Sequence, residues 1–443
     1  MKALKTLVIA LTLAGVALLS ACSKKEVILT GEREDISATL PGGEAARAND
    51  LPATPPPLKL PPARVNTAWP QSFATPATRS AHPALAAVPK LIWSTGIGAG
   101  DGKRSRITAD SVVGGGRIYT LDAQARVSAV STTGKLIWSR DLVPPGESGT
   151  DASGGGLAYA DGKLFVTSGF GVLAALDAAS GKVLWEQDLK TIATGSPTVY
   201  GDLVYLVSGD EIGWALDVRT GRIRWQLSGT PDNNNVLGAP APALTDKYAI
   251  FAFGSGEVQA VFRKGGLQRW DAQVAGRRTG YAAAEVTDIT SDPVIDGKRV
   301  YVGSNSGRTI ALGLEDGERL WTADDGPMGQ IWPAGGSLFM VSDRNELIRL
   351  SASDGRRLWV RKLPFFISTK PKKQNAIYAH YGPIIAGGRL IIASNDGKMR
   401  LFDPQSGQPL GMVPIPGGAT TDPVVAGGVL YVVSTSGQLL AFR

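Results

Sequence analysis

The chain has little of what catalytic and metal sites are usually built from. Its 443 residues include one Cys and two His. A single Cys excludes a disulfide framework and any thiolate metal cluster. His82 and His380 are too few for a multi-histidine metal centre. Charged residues make up only 19%. The apolar run Leu7–Leu19, at 13 residues, is too short for a typical membrane-spanning helix. Abundant instead are 55 Gly, 28 Pro and 43% hydrophobic residues. That composition does not describe a helical protein. Nor is it disordered, because it holds enough apolar surface for a large core.

The first segment reads as an address. Lys2 and Lys5 precede the apolar run, which ends in Leu19-Ser20-Ala21-Cys22. This resembles the lipobox of bacterial lipoproteins, in which small residues fit the peptidase and the Cys accepts the acyl chains. Residues 1–21 are therefore expected to be a signal peptide and Cys22 the lipidation site. Several acyl chains, at about 0.8 kcal/mol per buried CH₂, make a durable anchor. The resemblance, with Ser23 rather than Asp after the Cys, implies the outer membrane. Cleavage removes Lys2 and Lys5 and leaves a net charge of +5 from the formal +7. So mild an excess does not point to nucleic acid.

Eleven of the prolines fall between Pro41 and Pro89, among them Pro55-Pro56-Pro57 and Pro61-Pro62. Proline removes backbone donors and favours extended polyproline II. Residues 22–89 accordingly read as a lipid-anchored, Pro-rich tether, with Trp69 and Phe73 as residues to pack on the domain that follows.

From residue 90 a unit repeats. Its clearest copy runs through Gly162–Ser168, Val172–Asp177 and Ser180–Trp185, three short β-type runs separated by turns containing Gly. A Trp follows the turn Gly by four residues at Gly134/Trp138, Gly181/Trp185, Gly221/Trp225, Gly266/Trp270, Gly317/Trp321 and Gly355/Trp359. A seventh unit keeps Gly407 but has Gly411 at the Trp position. The eighth stops at Arg443, one strand short, and Leu91-Ile92-Trp93 supplies a matching strand at the other end. Borrowing it leaves no open edge. The period of about 44 residues suits four strands per blade. The expected fold is all-β, an eight-bladed β-propeller over 90–443 with four-stranded antiparallel blades, the last closed by the N-terminal strand. A large ring at one position in every blade is expected to dock blade to blade. Trp214 and Trp332 fall off the pattern and read as buried packing.

The form Ala-x-Asp-x-x-Ser/Thr-Gly-x-x-x-Trp at Ala175–Trp185 and Ala215–Trp225 resembles the docking repeat of the pyrroloquinoline quinone (PQQ) propeller superfamily. That superfamily holds quinoprotein dehydrogenases and non-catalytic scaffolds, so the fold alone does not choose. The dehydrogenases use a vicinal Cys-Cys disulfide, a calcium ion and long insertions, and this chain has no second Cys. Other chemistry fails on context. Gly169-Phe170-Gly171 leads into a strand, not a helix. Asn305 stands where a nucleophile elbow needs Ser. His380, between Tyr378 and Tyr381, reads as a loop or packing residue. No catalytic residue, cofactor or metal is expected.

Lipobox, spacer and full ring together resemble the outer membrane protein assembly factor BamB family, in the long-spacer form of alphaproteobacteria. The resemblance implies a non-catalytic periplasmic scaffold on the outer membrane. It would bind the POTRA domains of BamA and other subunits of the barrel assembly machinery, and assist unfolded outer-membrane proteins. The family's partner-binding stretches fall at Val286–Pro293, where Asp288 matches and Thr290 departs, and at Gln226–Gly229, where Leu227 matches and the expected Arg is absent. Arg277 and Arg278 are nearby basic candidates. Stretches 228–238, 271–290 and 363–379 exceed ordinary hairpin connections, and long loops on a rigid scaffold carry recognition. Two other readings stay open. One is a PQQ-dependent quinoprotein oxidoreductase, the other a different lipoprotein-tethered binding module.

Overall fold

The computed structural model describes residues 51–79, 82–231, 239–276 and 288–443. Each repeat folds as one four-stranded antiparallel sheet, and eight such sheets form the ring. The second strand of each blade is buried along its length save at most its first residue, and wholly so in Leu203–Val207 and Ser337–Val341, because neighbouring blades cover both of its faces. The outermost strands alternate instead, as in Val183–Asp188 and Ile223–Ser228, since only one face meets a neighbour. The blades span 112–141, 155–188, 198–228, 243–273, 294–323, 332–362 and 380–414, with the eighth built from 424–442 plus Leu91–Gly96. Leu91 pairs with Phe442 and Trp93 with Ala441, so the last sheet is completed from the front of the domain as expected. Lys90 and Arg443 exchange backbone hydrogen bonds at 2.6 and 2.9 Å, and Trp93 lies 5.9 Å from Tyr431 of the same sheet.

The repeated Trp docks blades in sequence. Trp93, Trp138, Trp185, Trp225, Trp270, Trp321 and Trp359 each cover the turn glycine of the following blade: Gly134, Gly181, Gly221, Gly266, Gly317, Gly355 and Gly407. Each Nε1 donates to a backbone carbonyl of that turn region at 2.9–3.2 Å. A Cβ on any of these glycines would lie 2.5–2.8 Å from the indole, so only Gly permits the approach. The missing eighth Trp has a physical reason. The blade after Gly411 takes its last two strands from opposite ends of the chain, so no turn glycine joins them. A Trp there would have nothing of that kind to cover, and nothing lies within 4 Å of a Cβ built on Gly411. Trp214 is buried, with Nε1 on Ser208 Oγ at 2.7 Å, and Trp332 is fully buried against Trp69.

Residues 51–89 correct the sequence reading. The described part of the expected tether forms one unit with the propeller and lies across one end of the ring. Trp69 exchanges two backbone hydrogen bonds with Val113 of blade 1. Pro70 O accepts from Tyr159 of blade 2, Gln71 Oε1 from Val199 of blade 3, Pro76 O from Leu244 of blade 4 and Ala77 O from Ile295 of blade 5. Trp69 stacks on Trp332 of blade 6 with ring centroids 6.1 Å apart. Pro83 O and Asn66 O accept from Gly387 of blade 7 and Gly427 of blade 8. This strap therefore touches all eight blades. Proline makes it extended, as expected, but Trp69 and Phe73, 2% and 0% exposed, bury too much apolar surface for a free spacer.

Candidate partner-binding face

Strand alternation sorts the connections. Innermost strands end at the strap side, where the turns between them and the second strands lie, together with the Trp-covered turns. The opposite face receives every connection from one blade to the next. The stretches 142–154 and 363–379 are of this kind, as are the described ends of the connections between blades 3 and 4 and between blades 4 and 5. The two faces thus differ by construction: one carries short turns and the strap, the other carries the loops.

On the loop face, among the ends of blades 6, 7, 8 and 1, is a hollow of about 540 Å³, lined by Asp101, Arg106, Asp110, Tyr378, His380, Tyr381 and Asp422 among others. Asp110 and Asp422 lie side by side, each partly buried, with Asp422 N donating to Asp110 Oδ1 at 2.8 Å. Burial pushes the Asp422 carboxyl up to about 6, and burial followed by repulsion from Asp422 pushes Asp110 up as well. From the strap side the Arg79 guanidinium reaches in, 3.6 Å from Asp292 and in the field of Asp422 and Asp110. Arg79 is itself lowered by burial, which outweighs the three carboxylates. His380 is lowered too, mainly by burial. Its Nε2 meets Pro364 O at 2.8 Å and its Nδ1 meets Ser394 Oγ at 2.7 Å. A carbonyl can only accept, so Nε2 carries the proton and Nδ1 accepts from the hydroxyl. His380 is a packing residue, as its sequence context implied.

Beside the hollow stands the 363–379 loop, a small hairpin. Tyr378 N donates to Phe365 O at 2.8 Å and Ile367 N to Ala376 O at 3.0 Å. Phe365 and Phe366 pack edge to face with centroids 4.6 Å apart. Phe366, Ile367 and Ile377 are exposed, and Lys370, Lys372 and Lys373 lie at the exposed tip. An apolar patch with a basic tip on a rigid frame suits a protein partner with an apolar spot and an acidic rim.

The two described residues expected at the partner interface, Asp288 and Leu227, do not share one exposed patch. Asp288, before blade 5, is only 6% exposed, and its backbone oxygen accepts from Asn305 N at 3.2 Å. Leu227 is half-buried in the outer strand of blade 3, opposite Gly213. Arg277, Arg278 and Cys22 lie outside the described residues. What the sequence reading missed is the axial charge cluster of Arg79, Asp110, Asp292 and Asp422. Its signal was a second repeat: Ser291-Asp292-Pro293-Val294 and Thr421-Asp422-Pro423-Val424 open two innermost strands in the same way, and Asp110 stands two residues before a third.

Among the described residues there is no group of three or more His, Cys, Asp and Glu that would hold a metal ion, and no helix long and apolar enough to cross a membrane. A quinone cofactor does not fit the residues present. The chain lacks the cysteine pair, and Trp69, Phe73 and Arg79 of its own strap fill one end of the axis.

The family model described as outer membrane protein assembly factor BamB matches residues 123–361 and 368–443. The chain belongs to the BamB family. A relative of that name from Shewanella oneidensis is 26% identical over 361 residues, covering 79% of this chain and 88% of the relative. An uncharacterised protein of Rickettsia prowazekii is 28% identical over 308 residues, 68% of this chain and 73% of that protein. Among solved structures, BamB from Moraxella catarrhalis superposes with a TM-score of 0.66 at 17% identity, covering 80% of this chain and all of that one. The quinohemoprotein alcohol dehydrogenase of Comamonas testosteroni gives 0.63 at 15% identity, with 86% and 81% covered. The second likeness is one of fold, shared by catalytic and non-catalytic rings alike.

Proposed function

We propose that this chain is a non-catalytic scaffold of the outer-membrane barrel assembly machinery. It is held at the periplasmic face of the outer membrane by lipid on Cys22, binds BamA POTRA domains and other subunits, and assists insertion of outer-membrane proteins. Family membership gives the process. The observation that carries the scaffold reading is the division of the ring into two faces: the blade-to-blade connections gather on one, while the chain's own strap closes the other and fills that end of the axis. A rigid frame of this kind lends its loops a fixed geometry, which favours binding by lowering the ordering cost. The exposed hairpin at 363–379 is the first contact candidate. Leu227 supplies a partly exposed apolar neighbour two blades away from Asp288. Asp288, only 6% exposed, is the less accessible of the two.

Affinity purification of the tagged protein from envelopes in mild detergent tests the reading. A POTRA-containing barrel protein is expected in the eluate. Its absence, with the tagged protein intact, contradicts the proposal. The dehydrogenase reading rests on the fold likeness and is tested by absorbance after incubation with PQQ and calcium. A bound-quinone spectrum with stoichiometric retention would favour that reading instead.

A further inference from the structure

The strap is more than a covalent continuation of blade 8. Its contacts are those of a peptide in a binding site: backbone carbonyls or side chains meet the end of one innermost strand after another, in order around the ring. Two aromatic anchors and one cation point inward. Trp69 stacks on Trp332, Phe73 is wholly buried, and Arg79 lies over the Phe73 ring with its Cζ 4.6 Å from the centroid. Arg79 Nη1 donates to Ser72 O at 2.5 Å, folding the peptide back on itself, while Ser72 Oγ donates to Asp292 at 2.6 Å. The axial carboxylates belong to blades 1, 5 and 8, so the guanidinium is addressed from opposite sides of the ring. A connection needs none of these features. A ligand needs all of them: apolar anchors in pockets, satisfied backbone and a charge that fixes register.

We propose that the strap-side mouth of the ring is a peptide-binding site, that residues 64–79 are its resident tethered ligand, and that Arg79 is the residue that locks it in register. The class of ligand is an extended chain with two aromatic anchors four residues apart and an Arg six residues further on. Residues 82–85 then lead out across blade 7, and Ala86, Ala87 and Val88 are exposed before Leu91 enters blade 8. The site binds within one molecule, where the tether gives the peptide a high effective concentration. The inference does not rest on the assembly role.

A protease recognition sequence inserted between Ala86 and Ala87 of the full chain separates ligand from ring without touching either. After cleavage, the fragment ending at Ala86 is expected to co-elute with the ring on size exclusion. The same cut in Arg79→Ala is expected to release the fragment at least tenfold faster, and Arg79→Lys to fall between, since Lys keeps the charge but not the fork. A fluorescent synthetic peptide of residues 64–85 should exchange into the cut protein, and the same peptide with Trp69 and Phe73 as Ala should not. Immediate separation of the cut fragment from a ring that stays folded would overturn the proposal. Equal release rates for cut wild type and both Arg79 variants would overturn the assignment of Arg79. If Arg79→Ala does not fold, the Lys variant and the peptide exchange still decide.

Discussion

Replacing Gly181 and Gly162 by Ala in turn measures what the Trp-on-glycine contact is worth. Both glycines belong to blade 2 and have nearly the same backbone, with φ of 71° and 75°. Both therefore impose a similar left-handed penalty on an L side chain, about 1–2 kcal/mol. They differ in what the new methyl meets. At Gly162 nothing lies within 4 Å. At Gly181 the methyl would lie 2.6 Å from Trp138 Cε3 and 2.8 Å from Cδ2, atoms of a rigid ring whose Nε1 is already committed to Ala178 O. Forcing the ring away adds an overpacking cost of roughly 1–3 kcal/mol. Gly162→Ala should thus lower stability by about 1–2 kcal/mol, and Gly181→Ala by about 2–5 kcal/mol. Urea unfolding followed by tryptophan fluorescence reads both. Trp138→Ala in each background completes a double-mutant cycle and should remove most of the excess at Gly181. Equal losses for the two alanines would refute the docking argument, because they would leave only the backbone term.

The axial carboxylates set a pH dependence. Burial raises Asp422 to about 6, so the folded state binds its proton more tightly than the unfolded chain does. The stability this supplies is complete below the ordinary Asp range and is lost as pH rises through about 6. The loss is roughly 3 kcal/mol at most. Asp422→Asn, which keeps an acceptor for Gly382 N, should flatten that fall, as urea midpoints at pH 4.5 and 7.5 would register. Trp93→Ala removes the ring that docks blade 8 on Gly134 and should cost roughly 2 kcal/mol, since a half-exposed indole gives less than a fully buried one. Phe366→Asp with Ile367→Asp should leave the melting temperature within a few degrees of wild type, because both side chains are exposed, yet reduce recovery of the POTRA-containing partner several-fold.

The ring was legible because it is written in repeats. Turn glycines four residues before each Trp marked the blades, and Leu91-Ile92-Trp93 marked the borrowed strand. Even the blank at Gly411 follows from where the chain closes. The strap was not legible as structure. Its prolines prevent a ladder, so apart from the pair between Trp69 and Val113 its hydrogen bonds go singly to blade ends scattered from residue 159 to 427 and leave no periodicity to read. Trp69 and Phe73 were its only signal. Arg79 carried none, because an Arg in a Pro-rich stretch looks like any solvated charge until its neighbours from blades 1, 5 and 8 are known. The expected interface residues came from stretches near the loop face, but Asp288 is buried and Leu227 is partly covered in its blade. The hairpin at 363–379 stood out through length and composition, and the structure leaves its Phe366 and Ile367 exposed.

The central claim is that partners meet the loop face and leave the strap face alone. Photo-crosslinking in living cells from Lys372, on the exposed hairpin, and from Lys298, on an exposed turn at the strap side, compares the two directly. The account predicts a crosslinked adduct with the POTRA-containing barrel protein from position 372 and none from 298. Adducts from 298 alone would contradict it.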